Sequence, residues 1–367
     1  MGNKVKFFEE KFCEYIGSEN AIMVNSGSSA NLLALSTLTN PALDNKIEKG
    51  SSIITPAVTW ATTVSPIVNV GCKPLFVDVD LDTLCINTDL LQESVSEETS
   101  CIMPVHLMGY PCDMKKICKI AIDNNLHVVE DSCEALGSSI EGKKVGTFGD
   151  IGTFSFFISH HITTMEGGML ITNNESVTEI AKSLRTFGWT RDLKRKSEIN
   201  SKYSEIDPRF LFVNLGYNFR PTEIQGAFGR QQITKLDSFI QHRQENAKFW
   251  NERLSKYSDY FILPTRNLEN HVYFGYAITI KENSPFSRKE ITDFLESKGI
   301  ETRPIMAGNF IEQPVAKLIQ WTKSGELKNS RLVMRNSFFI GNHQQILEEE
   351  REFIANMFDE FLNGNND

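Results

Sequence analysis

The chain has 367 residues, 40% hydrophobic and 23% charged, with a net charge of -9, an ordinary globular composition with room for a full core and more than one domain. The acidic balance and a sequence pI near 5.4 run against a nucleic-acid or anionic-membrane surface, because both require a concentrated basic footprint. The seven cysteines include no CxxC pair and lie in apolar runs no later than Cys133, so they read as buried free thiols rather than a disulfide framework.

The opening residues lack the apolar core of a signal peptide, and no run of about 18 apolar residues follows, so a cytoplasmic protein with no membrane span is expected. No His/Cys/Asp/Glu spacing suggests a bound metal. Val5, Phe8, Phe12 and Ile16 recur at helical spacing, which predicts a first helix packed on the body. From Ala21 a short apolar strand turns through Asn25-Ser26-Gly27-Ser28-Ser29 into an Ala/Leu-rich helix. Such a turn sets backbone N–H groups and hydroxyls at the positive end of a helix, which suits a phosphate; the same residues also make an ordinary N-cap.

Strands are expected over residues 52–58, 74–80, 100–105 and 127–129 with helices between them, one of which opens at Thr59-Trp60-Ala61-Thr62-Thr63. Alternation of this kind predicts an α/β fold with a mainly parallel sheet covered on both faces, where ligands gather at the C-terminal strand ends. The candidate groups at those ends are Ser28, Ser29, Trp60, His106, Glu130, Asp131 and, after the next strand, His160. His106 reads as a satisfied or wall residue. Asp131 reads either as a helix cap or as a carboxylate that keeps a pyridine nitrogen protonated.

A turn and strand then deliver Ser155-Phe156-Phe157-Ile158-Ser159-His160-His161-Ile162-Thr163-Thr164-Met165-Glu166-Gly167-Gly168, in a stretch from Val145 to Ala181 that contains no lysine. The basic cluster Arg191 to Lys196 reads as a solvated loop or helix face. Asn218 precedes a helix through Ile224, Ala227 and Gln231. From about Asp237 the pattern changes to a long charged helix, a strand over 272–280, a helix over 287–298, the Thr302-Arg303-Pro304 segment and a last helix over 348–361. This predicts a large domain over 1–236 and a smaller α+β domain over 237–367, with a frayed tail at 363–367.

Together these segments resemble the fold-type I pyridoxal-phosphate (PLP) enzymes of the DegT-type sugar aminotransferase family along nearly the whole chain. The resemblance implies that Gly27, Ser28, Ser29 and Ser155 hold the cofactor phosphate, that Trp60 stacks on the ring, that Asp131 pairs with the ring nitrogen and that Glu134 lies near the ring's polar edge. It also implies that Asn218 reaches into a neighbouring subunit's site, hence a homodimer with shared active sites.

One position departs from the family pattern. His160 stands where the lysine that bonds the cofactor is expected. With His-His-Ile-Thr, the following Glu-Gly-Gly, and Thr302 to Phe310 before Gln313-Pro314, this resembles a narrower subgroup, the 3-dehydratases of nucleotide-linked 4-keto-6-deoxy sugars, typified by the GDP-4-keto-6-deoxymannose 3-dehydratases of surface-glycan sugar biosynthesis. An iron-sulfur cluster on second-half cysteines, as in a related CDP-sugar dehydratase, is not available to a chain with no cysteine after Cys133.

Imidazole cannot form the covalent link that a lysine amine makes with the cofactor aldehyde. The cofactor is therefore expected to be held without a covalent bond, most usefully as the amine form, PMP. The resemblance implies a nucleotide-sugar substrate whose C-4 ketone condenses with that amine. His160 would then remove a proton and, itself or through a close neighbour, return one to the departing C-3 hydroxyl, and glutamate would restore the amine. A side chain with an ordinary pKa near 6.5 suits both proton transfers. Two other readings stand beside this one: a sugar-nucleotide aminotransferase that still transfers nitrogen, and a non-catalytic cofactor-binding protein on the same fold.

Overall fold

The computed structural model describes residues 1–266 and 269–364; the last part of the expected frayed tail lies outside the described residues. In chain order the strands are β1 (Asn20–Val24), β2 (Ser52–Pro56), β3 (Lys73–Val77), β4 (Thr99–Ile102), β5 (His127–Asp131), the short pair β6 (Ser139–Ile140) and β7 (Lys143–Lys144), β8 (Ile151–Ser155), β9 (Gly168–Thr172), β10 (Phe261–Ile262), β11 (Gly275–Ile280), β12 (Thr302–Pro304), β13 (Thr322–Lys323) and β14 (Ser337–Gly341). The helices are α1 (Asn3–Ile16), α2 (Gly27–Leu38), α3 (Ala61–Asn69), α4 (Thr88–Ser94), α5 (Met114–Asp123), α6 (Glu175–Arg185), α7 (Lys196–Lys202), α8 (Glu223–Gln232), α9 (Leu236–Leu254), α10 (Arg288–Ser297), α11 (Lys328–Asn336) and α12 (Glu348–Gly364).

Eight strands form one sheet in the order β1-β9-β8-β5-β4-β2-β3-β13. Neighbours from β8 to β13 run parallel, and β1 and β9 add an antiparallel edge. The strands are apolar almost throughout because both faces are covered. Ile22 and Val24 of β1 face Leu33, Leu35 and Leu184 of α2 and α6, whereas Ala21 and Met23, one residue out of phase, join Phe8 and Phe12 of α1 on the other face. Period-2 alternation within one strand therefore feeds two cores. Gly229 of α8 admits Phe8, whose ring carbons would lie 2.4 to 2.6 Å from a Cβ at that position.

A second, antiparallel sheet, β10-β11-β14-β12, packs with α9, α10 and α12 around Trp250, Tyr276, Ile278, Phe338 and Phe358. The C-terminal part is also knit to the large sheet. β13 extends its edge beside β3, and Asp78, just past β3, accepts from the backbone N–H of Asn329 (2.9 Å) and Ser330 (2.7 Å) in the first turn of α11, a carboxylate at the positive helix end.

The strand expected over 272–280 begins only at Gly275. Residues 272–274 leave the ladder because Val272 and Phe274 donate to Gly109 and Met108, and Tyr273 takes a left-handed φ of 48°. The strands expected over 52–58 and 74–80 end earlier, at Pro56 and Val77. All seven cysteines are free. The cluster from Arg191 to Lys196 is a loop and helix start whose Lys194 and Arg195 pair with Glu175 and Glu198 in solvent. Among the described residues no helix is long and apolar enough to cross a membrane.

Candidate active site

The β1–α2 turn is built by a serine cap. Ser26 Oγ accepts from the N–H of Ser29 (3.1 Å) and donates to Ser29 Oγ (3.0 Å). Gly27 is the first helical residue, and a Cβ there would stand 2.5 Å from Ser155 Cβ and 2.9 Å from its Oγ. Gly168 is just as confined, since its Cβ would lie 2.3 Å from the Ser26 carbonyl oxygen. Two positions without side chains thus let the end of β8, the start of β9 and the N-terminus of α2 meet. Ser155, Ser28 and Ser29 share this corner with the unsatisfied N–H groups that open any helix, a ready anion cradle.

Asp131 ends β5 and is nearly buried at 5% exposure. Its Oδ2 accepts from Asn31 Nδ2 (2.8 Å) and Thr63 Oγ1 (2.8 Å), and its Oδ1 from the Cys133 N–H (3.3 Å). Thr59 Oγ1 donates to Thr63 Oγ1 (2.8 Å), and Thr153 Oγ1 donates to Asn31 Oδ1 (2.5 Å), so the partners are held in turn. A carboxylate fixed by three donors, from α2, α3 and the turn after β5, points in one direction without rotamer freedom.

Behind it, Glu130 is fully buried and accepts from the N–H groups of Gly146, Phe148 and Gly149 and from His106 Nε2 (3.1 Å). His106 Nδ1 accepts from the Cys112 N–H, so both ring nitrogens are occupied. It is the satisfied residue expected.

Glu134 accepts from the Met108 N–H at 2.8 Å. Burial pushes its carboxyl up to about 8; the Met108 bond opposes this and the negative charge of Asp131 adds to it. Near neutral pH this group is an acid able to donate a hydrogen bond. Trp60 stands at the N-cap of α3, 54% exposed and without an aromatic partner among the described residues, so its face is free to stack. Asn218 is exposed in the loop before α8, its Oδ1 accepting from Arg220 Nε (3.0 Å). The same loop runs past the β1–α2 turn, where Asn25 donates its N–H to the Phe219 carbonyl.

The β8–β9 loop carries His160. Phe156 donates its N–H to Gly167 and accepts from the N–H of Thr164 at 2.9 Å each, which closes the loop so that residues 157–163 form a compact lobe. His160 packs edge-on to Phe274, with ring centroids 5.1 Å apart at 74°. Its Nδ1 is buried without a hydrogen-bond partner. Burial, with the Arg243 guanidinium adding, holds the imidazole down to about 4, so it is neutral at physiological pH but a weaker base than the ordinary imidazole expected from the sequence. His161 is buried, also lies against Phe274 (6.2 Å between centroids), and donates through Nε2 to the Val272 carbonyl at 2.9 Å.

Of the candidates read from the sequence, the structure brings Gly27 and Ser155 into direct proximity, leaves Ser28 and Ser29 in the first turn of the same helix, and ties Asp131 to α2 and α3. It sets Glu134 at the 107–109 turn and places Asn218 at the loop rim. Sequence reasoning missed Asn31, Thr63, Thr153 and Arg243. The available signals were a lone Asn in the apolar run of α2 and a Thr pair four residues apart at Thr59 and Thr63; the partners themselves are not adjacent in sequence. Among the described residues no cluster could hold a metal.

The residues present fit a phosphorylated pyridine. A glycine-lined corner at a helix start would take the phosphate, a fixed carboxylate the ring nitrogen, and the orphaned His160 Nδ1 marks a polar atom that the protein alone leaves unsatisfied.

Over residues 1–359 the chain matches the DegT/DnrJ/EryC1/StrS aminotransferase family. It belongs to that family. It is 41% identical over 362 residues to GDP-4-keto-6-deoxy-D-mannose 3-dehydratase of Yersinia pseudotuberculosis, covering 98% of this chain and 90% of that one. Among solved structures it is similar to a GDP-4-keto-6-deoxymannose 3-dehydratase with a trapped PLP-glutamate geminal diamine (TM-score 0.92, 37% identity, 97% and 92% coverage). It is equally similar to a His-to-Asn variant of that enzyme with bound GDP-perosamine (TM-score 0.91, 37% identity, 97% and 92% coverage). The mixed α/β architecture is that of fold-type I PLP enzymes.

Proposed function

We propose that this protein is a PLP/PMP-dependent 3-dehydratase of a nucleotide-linked 4-keto-6-deoxy sugar, made for a surface glycan, with GDP-4-keto-6-deoxymannose the first substrate to try. One observation carries the reading. The residue in the place of the lysine is His160, neutral and unpartnered at Nδ1, in the loop that follows Ser155 of the glycine cradle, and β5, the strand paired with β8, ends in an anchored carboxylate. The names of the similar enzymes support the same substrate class.

In this reading Gly27, Ser28, Ser29 and Ser155 bind the phosphate, Trp60 covers one ring face, Asp131 holds a proton on the ring nitrogen and Glu134 donates to the ring's polar edge. The cofactor, when bound, supplies an amine for the C-4 ketone and an electron sink for the cleavage at C-3. His160 accepts a proton and delivers one to the C-3 oxygen as that bond breaks, so a single imidazole serves as base and then acid. Lacking a lysine amine, the site has no means of releasing an amino sugar by exchange, which directs the reaction to loss of water. Overall the sugar exchanges its C-3 hydroxyl for hydrogen while glutamate becomes 2-oxoglutarate and ammonia, which balances atoms and electrons.

The exposed apolar side chains Phe210, Phe212, Leu215 and Ile224, near exposed Asn218 in sequence, support a second copy of this chain covering this stretch. The division into a large domain over 1–236 and a small one over 237–367 belongs to the same reading.

The test is product analysis of the purified protein with PLP, glutamate and GDP-4-keto-6-deoxymannose. A 3-deoxy-4-keto sugar with one ammonia released per turnover supports the dehydratase. Nitrogen retained on the sugar would make it an aminotransferase, and no product at all, a binding protein.

A further inference from the structure

Arg243 of α9 is 2% exposed, and among the described residues no carboxylate pairs with it. Its Nη1 instead donates to the carbonyls of Tyr273 (3.0 Å), Phe274 (3.0 Å) and Asn342. Asn342 in turn donates from Nδ2 to the Arg243 carbonyl (2.9 Å) and accepts from Asn246. A buried cation is costly unless its donors are used; here Nη1 makes two of its three contacts with the bend that interrupts the strand before β11, while Nε is buried without a partner.

That bend bears directly on His160 and, through Met108, on Glu134. On one side the Phe274 ring lies edge-on to His160, and the Val272 carbonyl accepts from His161 in the next position of the lobe. On the other side the Phe274 N–H (2.9 Å) and His271 Nε2 (3.0 Å) both donate to the Met108 carbonyl, while the Met108 N–H is the bond that holds Glu134. The contact is backbone against backbone. A Cβ on Gly109 would meet the Tyr273 nitrogen at 2.9 Å, and Met108 itself is held at a left-handed φ of 55°, a conformation that persists only when its surroundings impose it.

We propose that Arg243 is a positioning residue for the reaction: by clamping residues 272–274 it sets the His160 imidazole and the Glu134 carboxyl in one rigid frame. The inference rests on the dehydratase reading for what the frame is used for, but not for its existence. Nothing in it requires Arg243 to touch substrate or cofactor; it acts through the bend.

The test uses the full chain loaded with PMP and labelled at histidine Cε1, with the His160 signal assigned by its loss in His160→Asn. Arg243→Lys keeps the charge and shortens the reach. Its expected effects are a shifted or broadened His160 signal, an unchanged signal for His127 at the far end of β5, at least a tenfold fall in kcat, and PMP affinity within threefold. His127 serves as the internal control because it is held separately by Asp150 and the Asn45 carbonyl. An unchanged His160 signal with kcat within threefold overturns the proposal, as does a change that His127 shares.

Should Arg243→Lys not fold, Phe274→Leu removes the edge contact and leaves the buried bonds in place; kcat and PMP affinity are then read in the same way, while the His160 signal is not, because loss of the ring shifts it directly. Lack of dehydratase activity in the unaltered protein would end the functional reading, while the two histidine signals would still decide the clamp.

Discussion

Replacing Gly27 with Ala tests the cofactor cradle at its narrowest point. The new methyl would lie 2.5 Å from Ser155 Cβ and 2.9 Å from its Oγ, against about 3.5–4.0 Å for an unstrained carbon contact, so one side must retreat by roughly 1 Å. Overpacking of this size costs about 1–3 kcal/mol. Alanine in a helix returns about 0.5–1 kcal/mol relative to glycine, so the fold survives and the strain is relieved by pushing Ser155 out of the corner. If that displacement is felt wholly by the phosphate, PLP binds about 5- to 150-fold more weakly, at about 1.4 kcal/mol per tenfold.

The assay is an absorbance titration of the apo protein with PLP, alongside a thermal melt. Because Ser155→Gly removes the atoms that the methyl strikes, the double variant should bind no worse than Ser155→Gly alone, a non-additivity expected only of touching residues. Wild-type affinity in Gly27→Ala with an unchanged Tm, or simple addition of the two losses, would refute the cradle.

His160→Asn should reduce dehydration by at least about a hundredfold, as expected for loss of a general acid-base group, with PLP affinity retained; product formation by chromatography checks it. Borohydride treatment of the PLP-loaded protein should leave its intact mass unchanged, because residues 145–181 contain no lysine to be trapped. Thr63→Val removes one donor from Asp131 and strands Thr59 Oγ1, an expected loss of about 1–3 kcal/mol visible in denaturant unfolding.

For pH, the sign follows from the two buried groups. Glu134 is raised to about 8, so the folded state holds a proton the unfolded chain has released, and its contribution to stability is lost as pH rises from the ordinary carboxylate range through about 8. His160 is lowered to about 4, so its contribution is present above the ordinary histidine range and lost as pH falls toward 4. The Tm of the apo protein should therefore peak between these limits, and Glu134→Gln should flatten the alkaline side while leaving the acid side in place.

What could be read from the chain alone was local. The strand–turn–helix at residues 20–38, the acid that ends β5, the loop without lysine and the histidine within it are each legible because a few adjacent residues and one period of hydrophobicity specify them. The α/β class followed from alternation of such units.

Tertiary structure decided how those pieces are aimed. Asn31 and Thr63 reach Asp131 across separations of 100 and 68 residues, and Arg243 reaches Asn342 across 99. β13 joins the large sheet from the far end of the chain. The strand expected over 272–280 lost its first three residues to Met108, Gly109 and Arg243, because a backbone group takes whichever partner the packed core offers, and the partner offered there lies far away in sequence. The identity of His160 is written in the sequence; its neutrality and its orientation are set by the burial, the buried guanidinium and the aromatic edge that the fold brings to it.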